Sequence, residues 1–277
     1  MTAREWYVVI GLAKTGTTVV ATAVLRARGI ARFCLEPESA AEIEALAASD
    51  RLVIKIIFDI WMQRSDALTR LCGGPHVTTI ATVRDPRDEL VSRLHYLAYD
   101  YFSKRETTPD DREDWIDIFR RKEEAPERIG LLDMREQILA RFGRGFGPLP
   151  ELHESYADFL DELAGAVHLL RYEDFVRGTV GEPALERLLA GAHDVGPQLR
   201  RVHRSGASGA WNSFFTERDV AVFNERFKPF IERFGYPLER RAGTAPPSPA
   251  TGSDYVARLI EEARALYLSR RREASVP

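Results

Sequence analysis

Four short runs of Val, Ile and Leu mark the chain at residues 6–12, 52–58, 77–83 and 167–171. Each is nearly continuous in apolar character rather than alternating. That is the pattern of parallel strands covered on both faces. Helix-compatible segments fall between them, over residues 17–28, 40–48 and 60–71, with a long one from Pro86 towards Phe102. Strands alternating with helices predict an α/β fold: a parallel sheet flanked by helices and wound by right-handed crossovers.

From about residue 103 to 161 the pattern changes. This stretch is highly charged, carries no strand signal, and holds a Gly/Pro-rich run at residues 142–150. It reads as a helical insertion with a loop, either shaping a substrate pocket as a lid or standing in solvent. Residues 241–253 are linker-like, rich in Ala, Pro, Gly and Ser. Beyond them Val256, Leu259, Ile260, Ala263, Leu266 and Leu268 give an amphipathic helix over 254–272, capped by Ser253 or Asp254. It packs on the chain's own body or on a second subunit of a homodimer. The domain reading is one domain over 1–240, a linker over 241–253, and a C-terminal helix and tail over 254–277.

Composition changes this picture little. The 277 residues are 44% hydrophobic and 29% charged, with a formal net charge of −3, which suits one large α/β domain. No global basic field points to nucleic acid or anionic membrane. No apolar run is long enough to span a bilayer, and the first strand begins too early to leave room for a signal peptide. Cys34 and Cys72 are too few for a disulfide framework or a cysteine zinc site, and fit buried thiols in a cytoplasmic protein. Lysine occurs only at positions 14, 55, 104, 122 and 228 among many arginines, a bias that fits a GC-rich bacterial genome.

The first strand breaks into Gly11-Leu12-Ala13-Lys14-Thr15-Gly16-Thr17-Thr18, and a helix follows at once. A strand–loop–helix of this kind binds anions, because open amides and the positive end of the helix dipole face outward together. A Walker A loop ends in Gly-Lys-Ser/Thr, with the hydroxyl on Mg²⁺. Here Lys14 precedes Gly16, and Asp59, which closes the apolar run at 52–58, has a weak context for a magnesium partner. The loop therefore predicts a phosphate bound through amides, Lys14 and threonine hydroxyls without a metal. The third strand run ends in Arg84-Asp85-Pro86-Arg87-Asp88, with Ser92 two helical turns on. Arg84 at a strand tip sits beside the ligand crevice of an open α/β sheet, where Arg and Ser can fork onto one phosphate. In isolation, Arg84 would instead pair with Asp85 or Asp88.

Together these two elements resemble the sulfotransferases that use 3′-phosphoadenosine 5′-phosphosulfate (PAPS) and release the bisphosphate PAP. Lys14, Thr15, Gly16, Thr17 and Thr18 match the family's 5′-phosphosulfate loop. Arg84, Pro86, Asp88 and Ser92 match its 3′-phosphate element. The run Leu170-Arg171-Tyr172-Glu173-Asp174-Phe175 is similar to a later motif, and Arg204-Ser205-Gly206 with Trp211 to a late loop that closes over the 3′-phosphate. The likeness spans about residues 6–237. It implies a P-loop-like sulfotransferase fold, PAPS as donor, no metal, and donor contacts from the loop, Arg84, Ser92, Tyr172, Arg204, Ser205 and Gly206. Where many members stack a tryptophan on adenine, this chain has Val19; Trp211, Tyr172 and Phe214 are the alternative neighbours or plain core aromatics.

The resemblance further implies in-line transfer of a sulfuryl group to a hydroxyl, or less readily an amine, of a small molecule or carbohydrate. Lys14 would meet the charge growing on the leaving phosphate, with Lys55 as a second cation. A lysine inside an apolar strand needs an anion or must snorkel to the rim. Some relatives place a base histidine two residues after the strand lysine, where this chain has Ile57. Others use a glutamate in a Glu-Pro context, which Glu36-Pro37 matches, with Glu38 behind it. Asp59, His95 and His153 are the remaining candidates for that base. Tyr96, Tyr99, Tyr101, Trp115 and Phe119 would give the insertion aromatic surfaces for an acceptor, or simply pack it. Two rival readings stand beside this one: a small-molecule P-loop kinase, and a nucleotide-binding module without catalysis.

Overall fold

The computed structural model describes residues 4–46, 49–146, 149–190, 208–239, 243 and 245–274. Along the chain run β1 (Glu5–Gly11), α1 (Thr17–Arg28), β2 (Phe33–Leu35), α2 (Ala40–Glu44), β3 (Arg51–Ile57) and α3 (Phe58–Trp61). A 3₁₀ turn (Met62–Arg64) leads to α4 (Ser65–Cys72), β4 (Val77–Val83), α5 (Pro86–Phe102), α6 (Pro109–Glu124), α7 (Leu131–Phe142) and α8 (Leu149–Glu162). Then follow β5 (Val167–Arg171), α9 (Tyr172–Arg177), α10 (Pro183–Leu188), α11 (Trp211–Phe214), α12 (Glu217–Arg233) and α13 (Ser253–Ala274). The chain forms two compact units, Met1–Asp85 with Pro148–Ala207, and Pro86–Gly147 with Ser208–Pro277.

The first unit is a parallel five-stranded sheet flanked by helices, in the order β2-β3-β1-β4-β5. All four apolar runs of the sequence are strands. The fifth, β2, was not foreseen, because three residues are too few to show a period. β1 is central, and Val8, Val9 and Ile10 are wholly buried, which explains its unbroken apolar run. On one face α1 packs Val20 and Val24 against Val9, Val53 and Ile80, and Leu170, Phe175 and Leu185 extend this cluster. Each such side chain contributes roughly 1.5–3 kcal/mol when fully buried. α1 stops at Gly29, which takes a left-handed conformation and caps the helix with its own N–H. Elsewhere in this unit Phe58 packs against Tyr156 and Phe159 of α8.

The strand order sets the position of the site. From β1 the chain crosses to β2 on one side, and from β4 it continues to β5 on the other. The crevice at the C-terminal ends of β1 and β4 is therefore the topological switch point, where open α/β sheets bind ligands. The loops carrying Lys14 and Arg84 leave the sheet there.

The second unit is helical. Capping boxes at Thr108 and Thr216 start α6 and α12. α13 packs on α5 and α6 through Tyr255, Val256, Leu259 and Ile260. Asp219 accepts from the backbone N–H of Leu131 and of Thr216, so one carboxylate fixes the starts of α7 and α12. No helix among the described residues is long and apolar enough to cross a membrane.

Lys122 lies fully buried in this unit, its Nζ donating to the Pro126 carbonyl at 2.6 Å. Burial pushes its ammonium down to about 8, against the opposing pull of Asp219 and Asp133. Below that pH the folded chain carries the whole cost of a buried charge. Between about 8 and 10.5 the unfolded chain holds a proton that the folded one has released, so stability rises with pH. The urea stability of wild type relative to Lys122→Met should therefore rise from pH 8 to 10, by up to about 3 kcal/mol. A difference that does not change with pH would remove Lys122 as its source.

Candidate functional site

The loop between β1 and α1 is held by side chains from three directions. The Asp59 carboxylate, in the first turn of α3, accepts from the Ala13 N–H at 2.9 Å. The Thr15 hydroxyl donates to the Leu12 carbonyl at 2.7 Å and lies 2.9 Å from that of Thr82 on β4. Gly11 is obligatory beneath them, since a Cβ there would come within 2.2 Å of the Thr82 oxygen. From α8, the Tyr156 hydroxyl lies 3.2 Å from both the Ile10 and Thr82 carbonyls. The loop then alternates. Thr15 and Thr17 are buried, whereas Lys14, Gly16 and Thr18 are half-buried. Thr15, expected as a donor contact, thus spends its hydroxyl on the loop itself. The first turn of α1 has no side-chain cap and no acidic residue, so its amides and dipole are left for an anion.

Arg84 leaves the end of β4 and reaches back to this loop. Its Nη1 donates to the Lys14 carbonyl at 3.0 Å, and its guanidinium lies 4.7 Å from the centre of the Tyr172 ring. The buried Nε has no hydrogen-bond partner among the described residues. The salt bridge to Asp85 or Asp88 that Arg84 would form in isolation is not among its contacts there. Asp88 instead accepts from the N–H of Gly209 and Trp211, within the second unit. Tyr172 packs against the loop: a Cβ on Gly16 would lie 2.2 Å from its ring, and Gly16 has φ 90°. One tyrosine therefore supports both the loop glycine and the arginine.

The second cluster lies at the ends of β2 and β3. Lys55 is 3% exposed, and its Nζ forms an ion pair with the Glu36 carboxylate. Burial lowers the Lys55 pKa, and the contact with Glu36 opposes that shift. The Glu36 N–H also donates to the Lys55 carbonyl at 2.9 Å, where β2 and β3 pair. The sequence proposed both residues but could not show that they meet. Lys55, expected as a second cation for the leaving phosphate, has Glu36 as its anion and does not snorkel. Lys14 and Glu36 share one more property. With φ of 74° and 54°, they are the non-glycine residues in left-handed backbone among those described. Such conformations cost about 1–3 kcal/mol and cluster at functional sites.

The other candidates fall elsewhere. Asp59 is engaged by the loop amide. His153 is fully buried, with Nδ1 2.6 Å from the Leu149 carbonyl. His95 is buried between the Val91 and Thr251 carbonyls, among Phe119, Phe214 and Tyr255. Both imidazoles are buried against main-chain carbonyls. Ser92 lies on α5 in the second unit. Trp211 is buried against the Arg87 guanidinium, and Phe214 against His95, so both are core aromatics. Arg204, Ser205 and Gly206 lie outside the described residues. Asp59, Thr82 and Tyr156 were missed as loop supports; only their strand-end and helix positions hinted at that role.

No protein-family model matches the chain, and no curated protein matches it by sequence. Among solved structures, it is similar to a mouse sulfotransferase complexed with PAP, at 15% identity and a TM-score of 0.46. That match covers 94% of this chain and 89% of the other.

Gly16→Ala should destabilise the fold by its clash with Tyr172 and by its left-handed backbone, which costs about 1–2 kcal/mol alone. Tyr172→Ala should remove the clash and leave the backbone cost. In urea unfolding, the double variant should lose at least about 1 kcal/mol less than the two single losses summed. Simple additivity would mean that the ring does not support the glycine.

Proposed function

We propose that this protein is a sulfotransferase that moves the sulfuryl group of PAPS to an acceptor hydroxyl. The observation that carries the reading is the hydrogen bond from Arg84 to the Lys14 carbonyl. Two elements about seventy residues apart in sequence, each resembling half of a bisphosphate-binding set, meet at the switch point of the sheet. The fit to an anionic donor rests on this chain's own groups. The uncapped first turn of α1 offers amides, Arg84 keeps a buried Nε that has no hydrogen-bond partner among the described residues, and Lys14 lies half-buried in the loop. Arg84 would hold one phosphate, and the loop amides with Thr18 the other.

In the transfer, the acceptor oxygen forms a bond to sulfur while the bond from sulfur to the 5′-phosphate oxygen breaks. The electron pair of the broken bond stays on the phosphate, and the acceptor's proton passes to a base. Lys14 would meet the growing phosphate charge, an interaction stronger in the transition state than before it. Glu36 is the proposed base. One carboxylate oxygen is held by Lys55, and the side chain is 40% exposed, so the other can reach a hydroxyl. Lys55 then orients Glu36 rather than touching the donor.

Calorimetry should show adenosine 3′,5′-bisphosphate binding without metal and no comparable binding of ATP with Mg²⁺; the reverse would return the chain to the kinases. Arg84→Ala should weaken bisphosphate binding by a few kcal/mol, about the worth of one broken desolvated charge pair. Glu36→Gln should lower kcat at least about a hundredfold, the low end for general base catalysis, with bisphosphate affinity unchanged. Unimpaired turnover would place the base elsewhere.

A further inference from the structure

The hydrogen bond that Arg84 makes runs to the loop proposed to hold the other phosphate. Its Nη1 donates to the Lys14 carbonyl at 3.0 Å. Lys14 is joined to Thr15 by a trans peptide bond, so the carbonyl and the N–H of that unit point opposite ways. The N–H is turned back into the loop. Together with the Thr15 hydroxyl it donates to the Leu12 carbonyl, at 3.2 Å and 2.7 Å. The carbonyl of the same plane is therefore turned away from Leu12, and the Arg84 guanidinium meets it. One peptide plane is pinned at both edges, by the loop itself on one and by Arg84 on the other.

Arg84 is itself held in place. Its residue is 8% exposed, and the guanidinium lies 4.7 Å from the centre of the Tyr172 ring. The N–H of the next residue, Asp85, donates to the buried Glu173 carboxylate at 3.0 Å. Two consecutive residues at the junction of β5 and α9 thus fix the guanidinium and the main chain behind it. A guanidinium carries five N–H donors. Spending one on Lys14 leaves the buried Nε, which has no hydrogen-bond partner among the described residues, for a phosphate oxygen. The two tasks do not compete.

The pinned plane matters to an anion on the loop. Each peptide unit is a dipole whose oxygen end repels an anion, and a cation on that oxygen offsets the repulsion. The same contact sustains the left-handed Lys14, with φ 74°, just ahead of the uncapped first turn of α1. We infer that Arg84 is a positioning residue for the loop as well as the holder of one phosphate. It fixes the Lys14–Thr15 peptide, so that the amides after it are set for an anion that Arg84 does not touch. This rests on the sulfuryl-transfer reading for the identity of the anions, but not for the hold on Lys14.

The test compares full-length wild type with Arg84→Ala and Arg84→Met. The calorimetric probes are adenosine 3′,5′-bisphosphate and adenosine 5′-phosphate. The monophosphate lacks the group that Arg84 would hold directly, so an arginine serving that group alone would leave its affinity equal in all three proteins. Both variants should instead bind the monophosphate at least about tenfold more weakly, the low end for a hydrogen bond from a charged donor, and lose more for the bisphosphate. Hydrogen exchange, read by mass spectrometry, needs no nucleotide. Amides of residues 12–20 should exchange about tenfold faster or more in both variants, while those of β3 keep the wild-type rate. Equal acceleration in β3 would mean a general loosening of the fold and would overturn the inference. So would an unchanged monophosphate affinity or unchanged loop exchange, and in either case bisphosphate binding by wild type leaves the transfer reading standing. A wild type that binds neither nucleotide, with loop exchange accelerated in the variants, removes the transfer reading and keeps the hold of Arg84 on Lys14.

Discussion

The ring of Tyr172 lies where a side chain on Gly16 would have to go, and the shape of the loop depends on that contact. The ring backs onto the glycine on one side and meets Arg84 on the other. Arg84 in turn holds the carbonyl of Lys14, two residues before the glycine. The result is a closed circuit of four residues from three strand ends. Its energetics are balanced. A left-handed Lys14 costs about 1–3 kcal/mol. A hydrogen bond from a charged donor returns about 1.5–3, and a cation over a ring about 0.5–2. The strained backbone at Lys14 is thus sustained by Arg84 and Tyr172 together with the Thr15 bond inside the loop.

The Glu36–Lys55 pair follows similar logic by another route. A lysine ammonium at 3% exposure is costly unless an anion meets it. Glu36 meets it only because β2 pairs with β3 in a register that places Leu35 opposite Lys55. The left-handed turn at Glu36 then ends β2 and brings the carboxylate back to the lysine. The short strand, the turn and the buried charge are one unit, and β2 is better understood as the mount for a carboxylate than as a full member of the sheet.

The sequence showed the sheet clearly and the site in part, for physical reasons. Runs such as Val8–Ile10 must be apolar throughout because helices cover both faces, so they announce themselves. β2 is too short to do so. The helix read over residues 60–71 is in fact α3, a 3₁₀ turn and α4, because Trp61 turns inward to the Pro37 carbonyl, a partner that local periodicity does not reveal. Motif letters gave positions but not orientations. Thr15 matches a donor-binding pattern and is consumed inside the loop, and Asp88 matches another and fixes the amides of Gly209 and Trp211. The pairing of Lys55 with Glu36 depends on strand register, which no spacing along the chain encodes.

The fate of Thr15 bears on what the loop can hold. Its hydroxyl lies directly after Lys14, in the loop between β1 and α1. Here that hydroxyl is fully buried and committed to the Leu12 carbonyl beside Thr82. Freeing it would leave a buried carbonyl without its donor and loosen the contact that joins the loop to β4, at a cost of about 1–3 kcal/mol. The first turn of α1 that follows has no side-chain cap and no acidic residue, a setting that suits an anionic oxygen. The loop's internal hydrogen bonding therefore holds the backbone ahead of that turn in place, which is what a preorganised anion site requires.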